Sequence, residues 1–338
     1  MIESRLERLA KELKQKDFES IWITSKANVY YFSNYYTDPH ERIVGIFFDS
    51  KDVPVLLLPE MEKEDAVQAG FKGEFVTYND EMDPILTLFT YLQQNNRVPH
   101  NLAIEKDHVT VNRLELLEKY FPNTEVKDGS DILQNLRVIK DKKEYTLLKQ
   151  AATLADLGVQ KGIEAISEGI TEMEIVAHLE YALKKEGVKE MSFSTTVLAG
   201  EKTASPHGIP GNRKIQKGDL VLFDLGVVFE GYCSDITRTV AYHSITDQQK
   251  EIYETVLRAE LEAIEAAQIG TEAKKVDDAA RTIIANQGYG KYFTHRIGHG
   301  LGIDIHEFPS MNGSNTLKLQ EGMCFTIEPG IYIPQVGG

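Results

Sequence analysis

Three carboxylates stand in stretches of this chain that are otherwise built for burial. Asp224 and Asp235 lie in Leu220-Val-Leu-Phe-Asp-Leu-Gly-Val-Val-Phe-Glu-Gly-Tyr-Cys-Ser-Asp-Ile-Thr-Arg-Thr-Val240, which reads as a β-hairpin turning between Phe229 and Gly231. Two turn registers are open. With Phe229-Glu230 as the turn the aspartates face each other directly; with Glu230-Gly231 they are diagonal neighbours. Either register keeps both carboxylates on one face, within ~5 to 8 Å. Two ionised carboxylates side by side in an apolar sheet are costly unless an arginine, a shared proton or a metal ion balances them. Glu328 makes the same argument alone, because Met323-Cys-Phe-Thr-Ile-Glu-Pro-Gly-Ile-Tyr-Ile333 otherwise reads as a buried strand.

Histidines complete the set. His295, His299 and His306 fall within one twelve-residue segment, and the glycines around His299 let the backbone approach a ligand closely. Oxygen-rich ligation by Asp224, Asp235 and Glu328 with one imidazole fits a pair of divalent ions such as Mn²⁺, Co²⁺, Fe²⁺ or Zn²⁺, rather than a thiolate zinc site. Two dications outweigh three carboxylates, so a fourth carboxylate is expected.

The elements that must position these groups fall into two domains, 1–135 and 136–338. The first alternates helical and strand-like patterns: an amphipathic helix over about 3–16, strands at Ser20–Thr24, Ile43–Phe48 and Val53–Leu58, and helices near 83–94 and 110–120. It holds no catalytic constellation, although its loop Asn34–Arg42 gathers aromatic and ionisable groups that could reach a neighbouring site. The second domain opens on a long helix running from about Lys140 to 167, and Thr171 with Glu174 forms a capping-box pattern for a helix that Gly187 closes. A strand is expected near Phe193–Ala199.

This layout recurs about a hundred residues later. Gly169 and Gly187 have the spacing of Gly270 and Gly288, and Gly218 followed by Asp224 is matched at an offset of 104 by Gly322 followed by Glu328. A duplicated α/β module places equivalent carboxylates on facing strands of one curved antiparallel sheet. Asp224 has its partner eleven residues on, so the partner of Glu328 is expected beyond Gly338, making this a C-terminally incomplete copy.

Composition narrows the function. A formal net charge of -15, with no basic stripe, argues against nucleic acid. No apolar run reaches the ~20 residues of a membrane span. The two cysteines, Cys233 and Cys324, sit in apolar runs and read as buried thiols of a reducing compartment, so the cytoplasm is expected.

Five segments in order carry a more specific signal: Phe223-Asp-Leu-Gly226, Tyr232-Cys-Ser-Asp-Ile-Thr-Arg-Thr239, Gly298-His-Gly-Leu-Gly302, His306-Glu-Phe-Pro309 and Glu328-Pro-Gly-Ile-Tyr-Ile-Pro334. Together they resemble the pita-bread metallopeptidases, and among those the Xaa-Pro dipeptidases, or prolidases. The first domain resembles the creatinase-type N-terminal domain of the same group. The resemblance implies that Asp224, Asp235, His299 and Glu328 are metal ligands, with Asp235 bridging two ions. It also implies that His207 and His306 contact substrate or the tetrahedral intermediate and that His295 is a further site histidine. A homodimer, manganese as the metal, and short proline-containing peptides as substrates are implied in the same way.

The expected activity is hydrolysis of the Xaa-Pro bond of dipeptides. Water activated by metal attacks the carbonyl, and Glu328 relays a proton to the leaving nitrogen. Thr237 is expected to orient Asp235, and Tyr232 reads as a core residue. Arg42, Arg213 and Arg296 are candidates for the substrate carboxylate. An Xaa-Pro aminopeptidase acting on longer peptides, or a non-catalytic peptide-binding module, are the alternatives.

Overall fold

The structure, a computed structural model, describes residues 2–51 and 53–338. It divides into two compact units, Met1–Arg137 and Val138–Gly338.

In the first unit six strands form one sheet: β1 (Ser20–Ile23), β2 (Gly45–Asp49), β3 (Val55–Pro59), β4 (Glu74–Tyr78), β5 (Asn101–Ile104) and β6 (Glu125–Asp128), in the order β4-β3-β2-β1-β5-β6. Every residue of β1, β2 and β3 is buried, the pattern of strands covered on both faces. Six helices accompany them: α1 (Ile2–Gln15), α2 (Lys26–Ser33), α3 (Lys63–Gln68), α4 (Pro84–Gln94), α5 (Val111–Tyr120) and α6 (Ser130–Val138). Ile85, Leu88 and Leu92 of α4 recur every three or four residues and pack with Leu117 of α5 against Trp22, Phe47, Leu57 and Ile104 of the sheet. In the Asn34–Arg42 loop, Tyr35 and Thr37 both donate to Glu62, at 2.7 and 2.9 Å.

The second unit begins with α7 (Lys142–Ala165) and α8 (Glu172–Lys185), followed by β7 (Glu190–Met191), β8 (Thr196–Ala199), β9 (Leu220–Leu225), β10 (Val227–Phe229), β11 (Tyr232–Cys233) and β12 (Ile236–Ala241). The helices α9 (Asp247–Ala266) and α10 (Ala273–Asn286) then precede β13 (Gly298–Gly300) and β14 (Glu307–Met311). Reciprocal capping boxes start α7 at Asp141, α8 at Thr171 and α9 at Thr246. Each such N-cap stabilises its helix by about 1 kcal/mol.

The duplication expected from the sequence is visible in the packing. One core joins Ala155 and Val159 of α7 to Leu179 of α8 and Phe223 of β9, while a second joins Ala259 and Ala263 of α9 to Val276 and Ala280 of α10 and Ile297. The matched glycines share one backbone state, with φ of +85° at Gly169 and +87° at Gly270, then +88° at Gly187 and +84° at Gly288. Gly162 lets α7 lie directly on β9, since a Cβ there would stand 2.5 Å from the Phe223 ring, next to Asp224.

The sheet of this unit is assembled in pieces: β12-β9-β8, β11-β10-β7 and β13-β14, all antiparallel. The segment Met323–Ile333, expected as a strand, is instead an extended run without a continuous two-sided ladder. Its backbone is tied on one side by Leu301 N–H to Cys324 O, Thr326 N–H to His299 O and Glu328 N–H to Ile297 O. Pro329 has no N–H, so a regular ladder cannot continue through it.

Candidate metal centre

The hairpin takes the Glu230-Gly231 register. Val228 pairs with Cys233, Phe229 with Tyr232 and Asp224 with Thr237, so Asp235 is the diagonal neighbour of Asp224 and not its opposite. Glu230 at φ 46° and Gly231 at φ 76° form the two-residue turn with both centres left-handed, which matches strand twist. Opposite Asp224, the Thr237 hydroxyl donates to its Oδ1 at 3.2 Å. Thr237 was expected to orient Asp235; the register turns it to Asp224.

His299, on β13, brings the two halves together. Its Nδ1 lies 3.1 Å from the Gly300 carbonyl, which can only accept, so Nδ1 carries a proton and Nε2 is the free lone pair of the neutral ring. That Nε2 stands 3.1 Å from Glu328 Oε1 and 3.5 Å from Asp235 Oδ2. Single ligand-type atoms of Asp235, His299 and Glu328 all lie within 4.8 Å of one another. Thr326 sets the remaining geometry, accepting the His299 N–H at 3.0 Å and donating to Glu328 Oε1 at 2.9 Å.

Burial and mutual repulsion make the charged forms of these carboxylates costly. Burial, then the charge of Glu328, pushes the Asp224 carboxyl up to about 6, although the Thr237 hydrogen bond opposes this. Asp235 is pushed up to about 7 by burial and by the neighbouring charges of Glu328 and Asp224. Burial alone would lower His299, but its hydrogen bond and charge interaction with Glu328 raise it. Burial alone would raise Glu328, and the same contact holds it below its ordinary value. One imidazolium can balance one carboxylate; the other two stay crowded, with their carboxyls raised above the ordinary range. An oxygen-rich set with a single imidazole whose other nitrogen is anchored to a carbonyl suits divalent metal on the chemistry of its donors.

Three further histidines surround the cluster. The rings of His306 and His299 are 4.1 Å apart, edge to face. Burial and the positive fields of His299 and Arg296 lower His306, favouring its neutral form. His295 donates from Nδ1 to the Arg296 carbonyl at 2.7 Å and accepts from the Tyr332 hydroxyl at Nε2, at 3.0 Å. Exposed His207 follows the short helical turn Gly200–Ala204 and lies near enough for its charge to act on both Asp224 and His306.

A match to metallopeptidase family M24 covers residues 146–338, the whole of the segment that carries this cluster. The chain belongs to that family. Residues 5–139 match the creatinase/prolidase N-terminal domain, so this M24 chain joins a creatinase-type α/β domain to a pita-bread metallopeptidase domain. It is 48% identical over 335 residues to the "Putative dipeptidase YkvY" of Bacillus subtilis, covering 99% of this chain and 92% of that one. Among solved structures, the prolidase of Pyrococcus horikoshii superposes with a TM-score of 0.91 at 35% identity, over 99% of this chain and 92% of that chain. The Xaa-Pro dipeptidase of Bacillus anthracis gives 0.92 at 30% identity, over 100% and 92%.

The structure separates the three arginine candidates by their partners. Arg213 is held by Asp219 and Glu201, and Arg42, in the first unit, by Asp80. Arg296 donates to the Ser310 hydroxyl at 3.1 Å, makes no ion pair among the described residues, and has its field on His306. Tyr232 is buried and donates to Glu144 Oε1 at 3.0 Å. Two groups were missed in the sequence, Thr326 and Tyr332. Both share the parity of Glu328 along an extended segment, the signal that could have found them.

Proposed function

We propose that this chain is a dinuclear metallopeptidase that hydrolyses the Xaa-Pro bond of dipeptides. The observation that carries the metal centre is the convergence of the His299 Nε2 lone pair with Asp235 and Glu328 oxygens, beside the half-buried Asp224. The proline preference is supported by likeness to a prolidase and an Xaa-Pro dipeptidase over nearly the full chain.

Asp224, Asp235, His299 and Glu328 would hold the ions, with Asp235 placed between the hairpin and the His299 side. Divalent ions, manganese in our reading, supply the Lewis acidity that activates water and polarises the scissile carbonyl. Glu328, about a third exposed, is more open than Asp235, and it passes a proton from the attacking water to the departing nitrogen. The proline nitrogen must gain a proton to leave as an amine, and Glu328 delivers the one taken from water. His306, kept neutral, and His207 donate hydrogen bonds to the developing oxyanion. His295 is held by Tyr332 as a fixed wall of the site. Arg296 is our choice for the dipeptide's C-terminal carboxylate. Two cysteines outside any disulfide fit a cytoplasmic enzyme, and a homodimer is the assembly we assign.

The test is hydrolysis of Ala-Pro against Ala-Pro-Ala with added Mn²⁺. Cleavage of the dipeptide supports the proposal; exclusive cleavage of the tripeptide transfers the chain to the aminopeptidase reading.

A further inference from the structure

The short segment that precedes α7 carries two buried charges that reach opposite halves of the site. Lys140 is 4% exposed in its side chain, and its Nζ lies 3.2 Å from Glu307 Oε2, itself 6% exposed. Glu307 follows His306 directly, and its other oxygen accepts the Asp304 N–H at 3.0 Å, closing the turn that presents that histidine. Gly302 leaves the space for this carboxylate, because a Cβ there would stand 2.5 Å from it. The Lys140 backbone also donates to Gly322 O at 2.8 Å, on the run leading to Glu328.

Four residues on, Glu144 turns the other way. Its Oε2 accepts the Asp141 N–H at 2.8 Å in the capping box, and its Oε1 accepts the Tyr232 hydroxyl at 3.0 Å. Tyr232 lies in the hairpin three residues before Asp235. The hairpin in turn meets the His306 loop through Cys233 N–H to Gly302 O at 2.7 Å. One turn of chain thus grips the Asp224–Asp235 hairpin through Glu144 and the His306 and Glu328 segments through Lys140.

We propose that Lys140 and Glu144 are positioning residues that hold the two duplicated halves of the metal centre in register, Lys140 acting on His306 through Glu307. A buried lysine is expensive to keep, and an apolar pair of similar volume would stabilise the fold as well or better. Its charge has a purpose in orientation: the ammonium and carboxylate fix the loop at one place, as packing alone would not. A displacement of about 1 Å in such a loop costs on the order of 10²-fold in rate.

This inference rests on the proposed peptidase activity, and its test is built to separate the two. Lys140→Met, Glu307→Gln and the double variant are compared for melting temperature, bound metal, kcat and KM on Ala-Pro. Each single variant removes one half of the buried ion pair and lowers the melting temperature. The double variant restores the melting temperature, yet kcat stays at least tenfold down with KM within threefold. Lys140→Arg recovers part of the rate. In a His306→Ala background, Lys140→Met causes no further loss of kcat.

Recovery of kcat together with melting temperature in the double variant, or a full additive loss on top of His306→Ala, would overturn the proposal. If the intact enzyme does not cleave Ala-Pro, hydrogen exchange replaces kinetics. Faster exchange at the Asp304 amide in the thermally restored double variant, with the 220–241 hairpin unchanged, then supports positioning, and unchanged exchange overturns it. Should single variants not fold, the double variant carries the same comparison.

Discussion

The Thr237 hydroxyl donates to Asp224 across the hairpin at 3.2 Å, while among the described residues no hydroxyl donates to Asp235. The two aspartates of one hairpin are therefore unlike: one is steadied by a neutral neighbour, the other is crowded by Glu328 and Asp224. Asp235 is the residue whose charge most needs a metal ion.

Asp235→Asn removes that need together with one oxygen of the proposed ligand set. In metal-loaded protein, bound ion measured by elemental analysis falls by at least half, and Ala-Pro turnover falls by on the order of 10³-fold or more, as expected when a group of the reacting centre is lost. Retention of both ion and turnover rejects the assignment.

Thr237→Val tests the hydroxyl alone. Loss of such a supporting contact to a ligand costs about 10- to 100-fold in metal affinity. A titration of metal-free protein followed by calorimetry should show that weakening, with little change in melting temperature of the metal-free form.

The pH dependence of stability has a definite sign. Asp224 and Asp235 are raised from 3.8 to about 6 and about 7, so the folded chain binds their protons more tightly than the unfolded chain does. Stability from these groups is fully present below the unfolded value of 3.8 and is lost as pH rises from there through about 6 and 7. His299, raised from 6.5, loses its contribution in the same direction, whereas lowered Glu328 loses its own as pH falls below 4.5. Metal-free protein should therefore melt higher at pH 5 than at pH 8. Excess Mn²⁺ should reverse that slope, because the ion binds the deprotonated carboxylates. Scanning calorimetry with chelator and with Mn²⁺ measures both curves.

Arg296→Ala removes a guanidinium whose side-chain partner among the described residues is Ser310. The KM for Ala-Pro should rise by roughly 10- to 100-fold, the scale of one charge-assisted hydrogen bond, with kcat within a few-fold. The amide of the same dipeptide, lacking the carboxylate, should show little difference between the two proteins. An equal loss on both substrates excludes carboxylate recognition.

Much of this architecture was legible in the residues. The helices at Pro84–Gln94 and Val111–Tyr120, the capping box at Thr171 and the duplication marked by Gly169 and Gly270 all follow from local patterns that tertiary contacts reinforce. The grouping of Asp235, His299 and Glu328 was legible because charge in apolar extended segments is costly enough to demand a reason. Register was not, since both candidate turns satisfied the hydrophobic alternation and only the left-handed pair at Glu230 and Gly231 decides between them. The Met323–Ile333 strand failed for a related reason: apolar content signals burial but does not supply hydrogen-bonding partners on both sides. Thr326, Tyr332 and the Lys140–Glu307 contact lie far apart in sequence from what they touch, and periodicity does not reach that distance.

The turn at Glu230 and Gly231 is the far end of the hairpin from Asp224, and it carries no chemistry of its own. Its length nevertheless sets which side of the sheet each aspartate occupies. Insertion of a single residue there, if absorbed by sliding one strand, would send Asp224 and Asp235 to opposite sides without altering either one. Length variation at this tip should accordingly be tolerated in steps of two and punished in steps of one.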